Sequence, residues 1–219
     1  MIASQIRWLL WKDFAVEWKQ KFSFTGLLVY VAANVFICYL TFTNAIDIPT
    51  WNALFWIINS LIAMNAVAKS FMSESSGALL FQYVMFHPLA VIVSKIIFNT
   101  ILLSVLSIAT LILFDVMIGN NINNLSLFIL CIITANFGMA SILTLVSGIA
   151  AKAGSGSAMM AILALPLLFP LILVITHLSK NILDGVPDFV YQKQLYILIS
   201  LDSLTFALSC LLFPFIWKD

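Results

Sequence analysis

Six long apolar runs constrain this chain more than any short motif in it. They fall at about 24–42, 51–67, 91–118, 125–151, 158–176 and 195–217. A helix rises about 1.5 Å per residue, so runs of this length match a hydrocarbon core roughly 30 Å thick. The composition agrees: 63% of the residues are hydrophobic, 9% are charged and the mean hydropathy is +1.12, which sets a soluble globular fold aside. The expected fold class is therefore all-α. It is a polytopic membrane protein of six transmembrane helices, a single membrane domain over 1–219 in contact with the lipid bilayer.

Net charge is only +1, so the chain lacks the basic surface that binding to nucleic acid requires. Cys38, Cys131 and Cys210 fall in three separate apolar runs without a CxxC or a neighbouring His. They read as small packing residues, with no disulfide framework and no metal site.

Residues 1–22 carry Arg7, Lys12, Lys19 and Lys21 against Asp13 and Glu17, and a helical winding puts Trp8, Trp11, Ala15, Trp18 and Phe22 on one face. An aromatic stripe flanked by Lys suits an amphipathic helix lying in the headgroup layer. The first apolar run is long enough to span and has no small-x-small site after it, so it reads as a retained span rather than a signal peptide. Placing the N-terminus in the cytoplasm puts Arg7, Lys12, Lys19, Lys21, Lys69, Lys95, Lys152 and Lys218 on or near that side, 8 of the 10 basic residues; only Lys180 and Lys193 fall outside. Both termini are thus expected to be cytoplasmic.

Polar groups inside the runs are few. Asn34, Asn59, Asn99 and Asn136 place one amide in each of the first four spans, where such a group needs a partner; bonding to a neighbouring helix is the expected role. Asn136, Ala140, Thr144 and Gly148 recur every four residues and predict a face where another backbone approaches closely. Pro166 and Pro170 remove two backbone donors from the fifth span, which predicts a helix break, either a fixed kink or a gate, covered by protein or a cavity. Lys95 is expected to snorkel to the interface. Asp202, about seven residues into the last span, marks a functional position with Lys193 or an asparagine as its partner.

No motif of catalysis appears. The glycine-rich stretch at Lys152 lacks the GxxxxGK[ST] order, and there is no HExxH or GxSxG. The chain is expected to be a non-catalytic membrane subunit. His177, at the external end of the fifth span, is a candidate haem contact, and His87 reads as a cap ending a short helix.

That short helix lies in the longest cytoplasmic stretch, 69–90. Ser73, Ser75 and Ser76 are helix-start residues, and Leu79, Leu80, Tyr83 and Val84 make an apolar ridge before the stop at Pro88. A ridge of this kind either rests on lipid or lies in a groove of a partner.

The charged N-terminal helix, the stretch FMSESSGALLFQYVMFHPLAVIVSK (Phe71 to Lys95) and the run GSGSAMMAILALPLLFPLILV (Gly154 to Val174) together resemble the CcmB family of membrane subunits, often labelled haem exporter protein B. The resemblance covers essentially the whole chain. Its specific parts are Glu74, Gly77, Pro88 and Lys95, and the paired prolines of Leu165 to Pro170. It implies an ABC transporter permease-type domain in the bacterial inner membrane, with a CcmA-type ATPase, a CcmC-type haem-handling membrane protein and a CcmE-type haem chaperone as partners; pairing of two copies is an option. ATP and Mg would be bound by the partner ATPase and haem by partner proteins, with no cofactor on this chain. Ser73, Glu74, Gly77, Leu79, Gln82, Tyr83 and Pro88 would couple to the ATPase, so that its cycle releases haem-loaded chaperone. Two alternatives stay open: a permease exporting haem or another small substrate, and a passive membrane scaffold.

Overall fold

The computed structural model describes residues 2–19, 21–42, 46–72, 85–119, 122, 124–153 and 156–218. Among them the fold is all-α, with seven helices: α1 (Ile2–Lys19), α2 (Lys21–Thr41), α3 (Ile48–Met72), α4 (Pro88–Met117), α5 (Leu125–Lys152), α6 (Gly156–Leu183) and α7 (Asp188–Lys218). Helices α2 to α7 each hold a segment long and apolar enough to cross a membrane, six in all. Their ends are set by local chemistry. Asn124 caps α5 by accepting from the Leu127 N–H at 3.3 Å. Gly119 and Gly185, with φ of 69° and 65°, let the chain turn away from α4 and α6 through the left-handed region.

The bundle is built around α5, whose span is 72% buried, against 17% for the spans of α2 and α7. Helix α5 packs on α3, α4, α6 and α7 at once. Its sequence permits this because Ala135, Gly138, Ala140, Ser141, Thr144, Ser147 and Gly148 are all small and all buried, so four neighbours can approach its backbone. The predicted stripe from Asn136 to Gly148 is part of this surface. Beside Gly148, an added Cβ would stand 3.1 Å from the Phe213 ring of α7.

Two apolar clusters stabilise the ends of the bundle. At the junction of the α3 start, the α4 end and the α5 start, Trp51 stacks on Phe55 at 5.5 Å and meets Phe114 edge-on at 5.4 Å. At the opposite, lysine-rich end, Leu9 of α1 joins Phe71, Val91, Ile92, Ile96, Leu145 and Phe213.

At the level of the helices and their ends, expectations for Pro166 and Pro170, His87 and Asp202 need correction. Helix α6 runs without interruption through Pro166 and Pro170, both on its exposed face, so there is no open break. Each proline removes one donor, while Ala164, Leu168, Leu171 and Ile175 on the buried face keep the helix seated on its neighbours. His87 is the N-cap of α4, its Nδ1 accepting from the Leu89 N–H at 3.3 Å, because Pro88 at the first helical position needs no amide partner. Asp202 lies deeper than predicted, since the last span extends over Tyr191–Ile216.

Candidate functional site

The charged and aromatic groups of the lysine-rich end converge at the base of the 69–90 stretch. Lys95, about two turns into α4, is only 4% exposed rather than snorkelling, because α1 lies across it. Its Nζ stands 3.9 Å from Asp13 Oδ2 of α1 and 4.9 Å from the centroid of the Phe71 ring, the last buried side chain of α3. Phe71 in turn packs against Phe213 of α7, with ring centroids 5.5 Å apart. On the far side of the stretch, Phe86 stacks on Trp8 at 5.5 Å, and the His87 N–H donates to Gln5 Oε1 at 3.4 Å. Phe71 near the end of α3 is thus held by Lys95 of α4 and Phe213 of α7, while Phe86 and His87, just before α4, are held by α1.

Helix α1 serves this arrangement through its two faces. Leu9 and Asp13 are buried toward α4, while Trp8 and Trp11 are 52% and 73% exposed. Phe14 adds an edge-on contact with Phe98 of α4 at 5.1 Å. The aromatic face expected for the headgroup layer is outward, and Arg7 lines an open groove along it with Trp8 and Trp11. Trp18 and Phe22 lie outside the described side chains. The same holds for most of the predicted coupling residues: Ser73, Glu74, Gly77, Leu79, Gln82 and Tyr83 fall outside the described residues, and Pro88 stands at the start of α4.

The intramembrane amides divide. Asn99 Nδ2 donates to Thr144 Oγ1 at 2.8 Å and Asn136 Nδ2 to Ser107 Oγ at 3.0 Å, so both join α4 to α5 as predicted. Asn34 and Asn59 instead donate within their own helices, to the carbonyls of Tyr30 and Phe55 at 2.7 and 2.8 Å. A polar cluster that sequence reading missed joins α3 to α6. Trp56 Nε1 donates to Ser179 Oγ at 2.8 Å, Ser179 Oγ to Asn52 Oδ1 at 2.7 Å, and Asn52 Nδ2 to the Thr176 carbonyl at 2.8 Å. Asn52 sits one turn into α3, at the edge of its apolar run, and only the partner helix reveals its role.

Asp202 is 4% exposed, and its Oδ1 has no hydrogen-bond partner. Neither Lys193 nor an asparagine meets it; the oxygen lies over Gly138 of α5, beside the methyl groups of Leu171 of α6. His177 is exposed on α6.

The Asp13–Lys95–Phe71 cluster was hidden in the sequence because its members lie on three helices and Asp13 reads there as one more flanking charge. The signal that could have found it is the pairing of one acid in α1 with the one lysine set inside the third run.

No family model matches the chain, and no curated protein matches it significantly.

Proposed function

We propose that this multi-pass membrane protein is the non-catalytic membrane subunit of an ABC-type complex in cytochrome c biogenesis, driven by a separate CcmA-type ATPase. The family assignment rests on the resemblance of Phe71 to Lys95 and of Leu165 to Pro170. The observation that carries the coupling role is the double anchoring of the 69–90 stretch. Its outgoing end is fixed at Phe71 under Lys95 and against Phe213; its returning end is fixed at Phe86 and His87 against α1. A push delivered to Glu74 or Gly77 from the cytoplasm then reaches α4 through Lys95 and α7 through Phe213, rather than through a broken fifth span. Haem stays on CcmC-type and CcmE-type partners, and ATP with its Mg on the ATPase. The output is release of haem-loaded chaperone.

Cytochrome c assembly in cells carrying Glu74→Arg with Gly77→Trp tests this reading. The expected result is loss of ATP-dependent assembly while the membrane level of the chain is retained. Assembly at the unaltered rate would overturn it.

A further inference from the structure

Among the described residues four buried side-chain polar atoms have no hydrogen-bond partner, those of Trp51, Asn59, Ser147 and Asp202, and the carboxylate oxygen of Asp202 is the one that belongs to an ionisable group. Asp202 lies eleven residues past the start of the Tyr191–Ile216 span and fourteen before its end. At about 1.5 Å per residue this is near the middle of the bilayer. There it is 96% buried, since 4% is exposed, and it faces inward against α5 rather than toward lipid. The contact is closer than any other residue at position 138 would allow. An added Cβ there would collide with Asp202 Oδ1 and come within 3.0 and 3.1 Å of the two Leu171 methyl groups.

A carboxylate in such a place needs a counter-charge, a set of donors or a proton. Among the described residues no basic side chain forms an ion pair with it. The helices packed on α7 are α4, α5 and α6. On α4, Lys95 is engaged with Asp13 and Asp115 is exposed. On α5, Lys152 donates to the Ile216 carbonyl at the far end of α7, and the buried Cys131 thiol lies two turns from Gly138. On α6, His177 and Lys180 are exposed. Along α7 itself, Lys193 and Tyr196 line an open surface groove, and Cys210 lies eight residues away. A sodium ion would need several oxygen ligands, and at the Gly138 Cα the nearest atoms beside Asp202 Oδ1 are the two Leu171 methyl groups.

We infer that Asp202 is a proton-binding site at the centre of the membrane, and that α7 packs on Gly138 only while the carboxyl group carries its proton. Loss of the proton leaves a charge against hydrocarbon and drives α7 away from α5, so proton loading is linked to the contact between the last span and the central helix. This goes beyond the coupling role proposed above and does not depend on it.

The experiment is reaction of the chain in its native membranes with dicyclohexylcarbodiimide, an apolar reagent for protonated carboxyl groups, followed by peptide mass spectrometry. An adduct at Asp202 is expected, falling by up to about tenfold per pH unit once the carboxyl group titrates, unaffected by sodium, and absent in Asp202→Asn. The infrared carbonyl stretch of a protonated carboxylic acid, compared between the wild type and Asp202→Asn, decides the matter where the reagent fails to reach the site. A band lost in the variant supports the proposal. Protection of the adduct by sodium overturns it in favour of a cation site, a pH-independent adduct overturns it, and absence of both adduct and band shows an ionised carboxylate.

Discussion

Gly138 is the residue whose replacement has the most direct consequence. Its hydrogen leaves the space that Asp202 Oδ1 and the Leu171 methyls occupy. Gly138→Ala should lower the stability of the detergent-solubilised protein by about 1–3 kcal/mol, the usual cost of overpacking, seen as a drop in Tm. The four asparagines make a second prediction. Asn136→Ala should cost about 0.6–1.7 kcal/mol, because it removes the bond to Ser107 between helices. Asn34→Leu should cost less than about 0.5 kcal/mol, because its amide is satisfied inside α2. That difference was not legible in the sequence. All four residues look alike there, and only the position of Ser107 and Thr144 on facing helices decides which amides bridge. The small-residue stripe of α5 was legible, because a four-residue period of Ala, Thr and Gly has the same packing meaning in any bundle.

Among the elements, α1 acts as a brace across α4, and the Asp13–Lys95 pair is its charged contact. Lys95→Ala removes the cross-helix partner of the nearly buried Asp13 carboxylate, which keeps Lys12 of its own helix at 3.2 Å, and should weaken the α1–α4 contact by about 1 kcal/mol. The check is proteolysis of membrane vesicles from the cytoplasmic side, where cutting in α1 should speed up; the double swap Asp13→Lys with Lys95→Asp should slow it again. At the other end of the bundle, Asp47 precedes α3 and accepts from the Thr50 N–H at 3.4 Å. The hydrogen bond from the Thr50 side chain, with a smaller contribution from this N–H, holds its carboxyl below the ordinary carboxylate value. Such a group contributes above its unfolded value, and the contribution is lost as pH falls through the lowered folded value. Amide exchange at the α3 start should therefore speed up under acid conditions, and Asp47→Asn, which keeps the cap, should remove that acid dependence. Helices and spans were readable from length and hydropathy. The outcome at Pro166 and Pro170 was not, because a missing donor costs one bond, whereas the seat of α6 on its neighbours is set by residues on its opposite face.

For the molecule as a whole, six helices among the described residues are long and apolar enough to cross a membrane, and the orientation proposed from the excess of lysine and arginine, with both termini in the cytoplasm, is open to direct test. Reporter fusions at both ends should show cytoplasmic location, and single cysteines placed at Ile122 and Asp47 should react with an impermeant reagent from outside. The class was legible at this scale because apolar length alone fixes it. The clustering of α1, the base of the 69–90 stretch and α7 was not, because it depends on how helices far apart in sequence meet. Purification of the tagged chain from its native membranes, with nucleotide hydrolysis and haem absorbance read on the same sample, is the most direct measurement of the proposed role. A bound ATPase whose recovery is lost in Glu74→Arg, together with a haem-handling membrane protein, is predicted. A chain that purifies without ATPase activity, or keeps it unchanged in Glu74→Arg, would contradict the coupling of this bundle to a cytoplasmic motor.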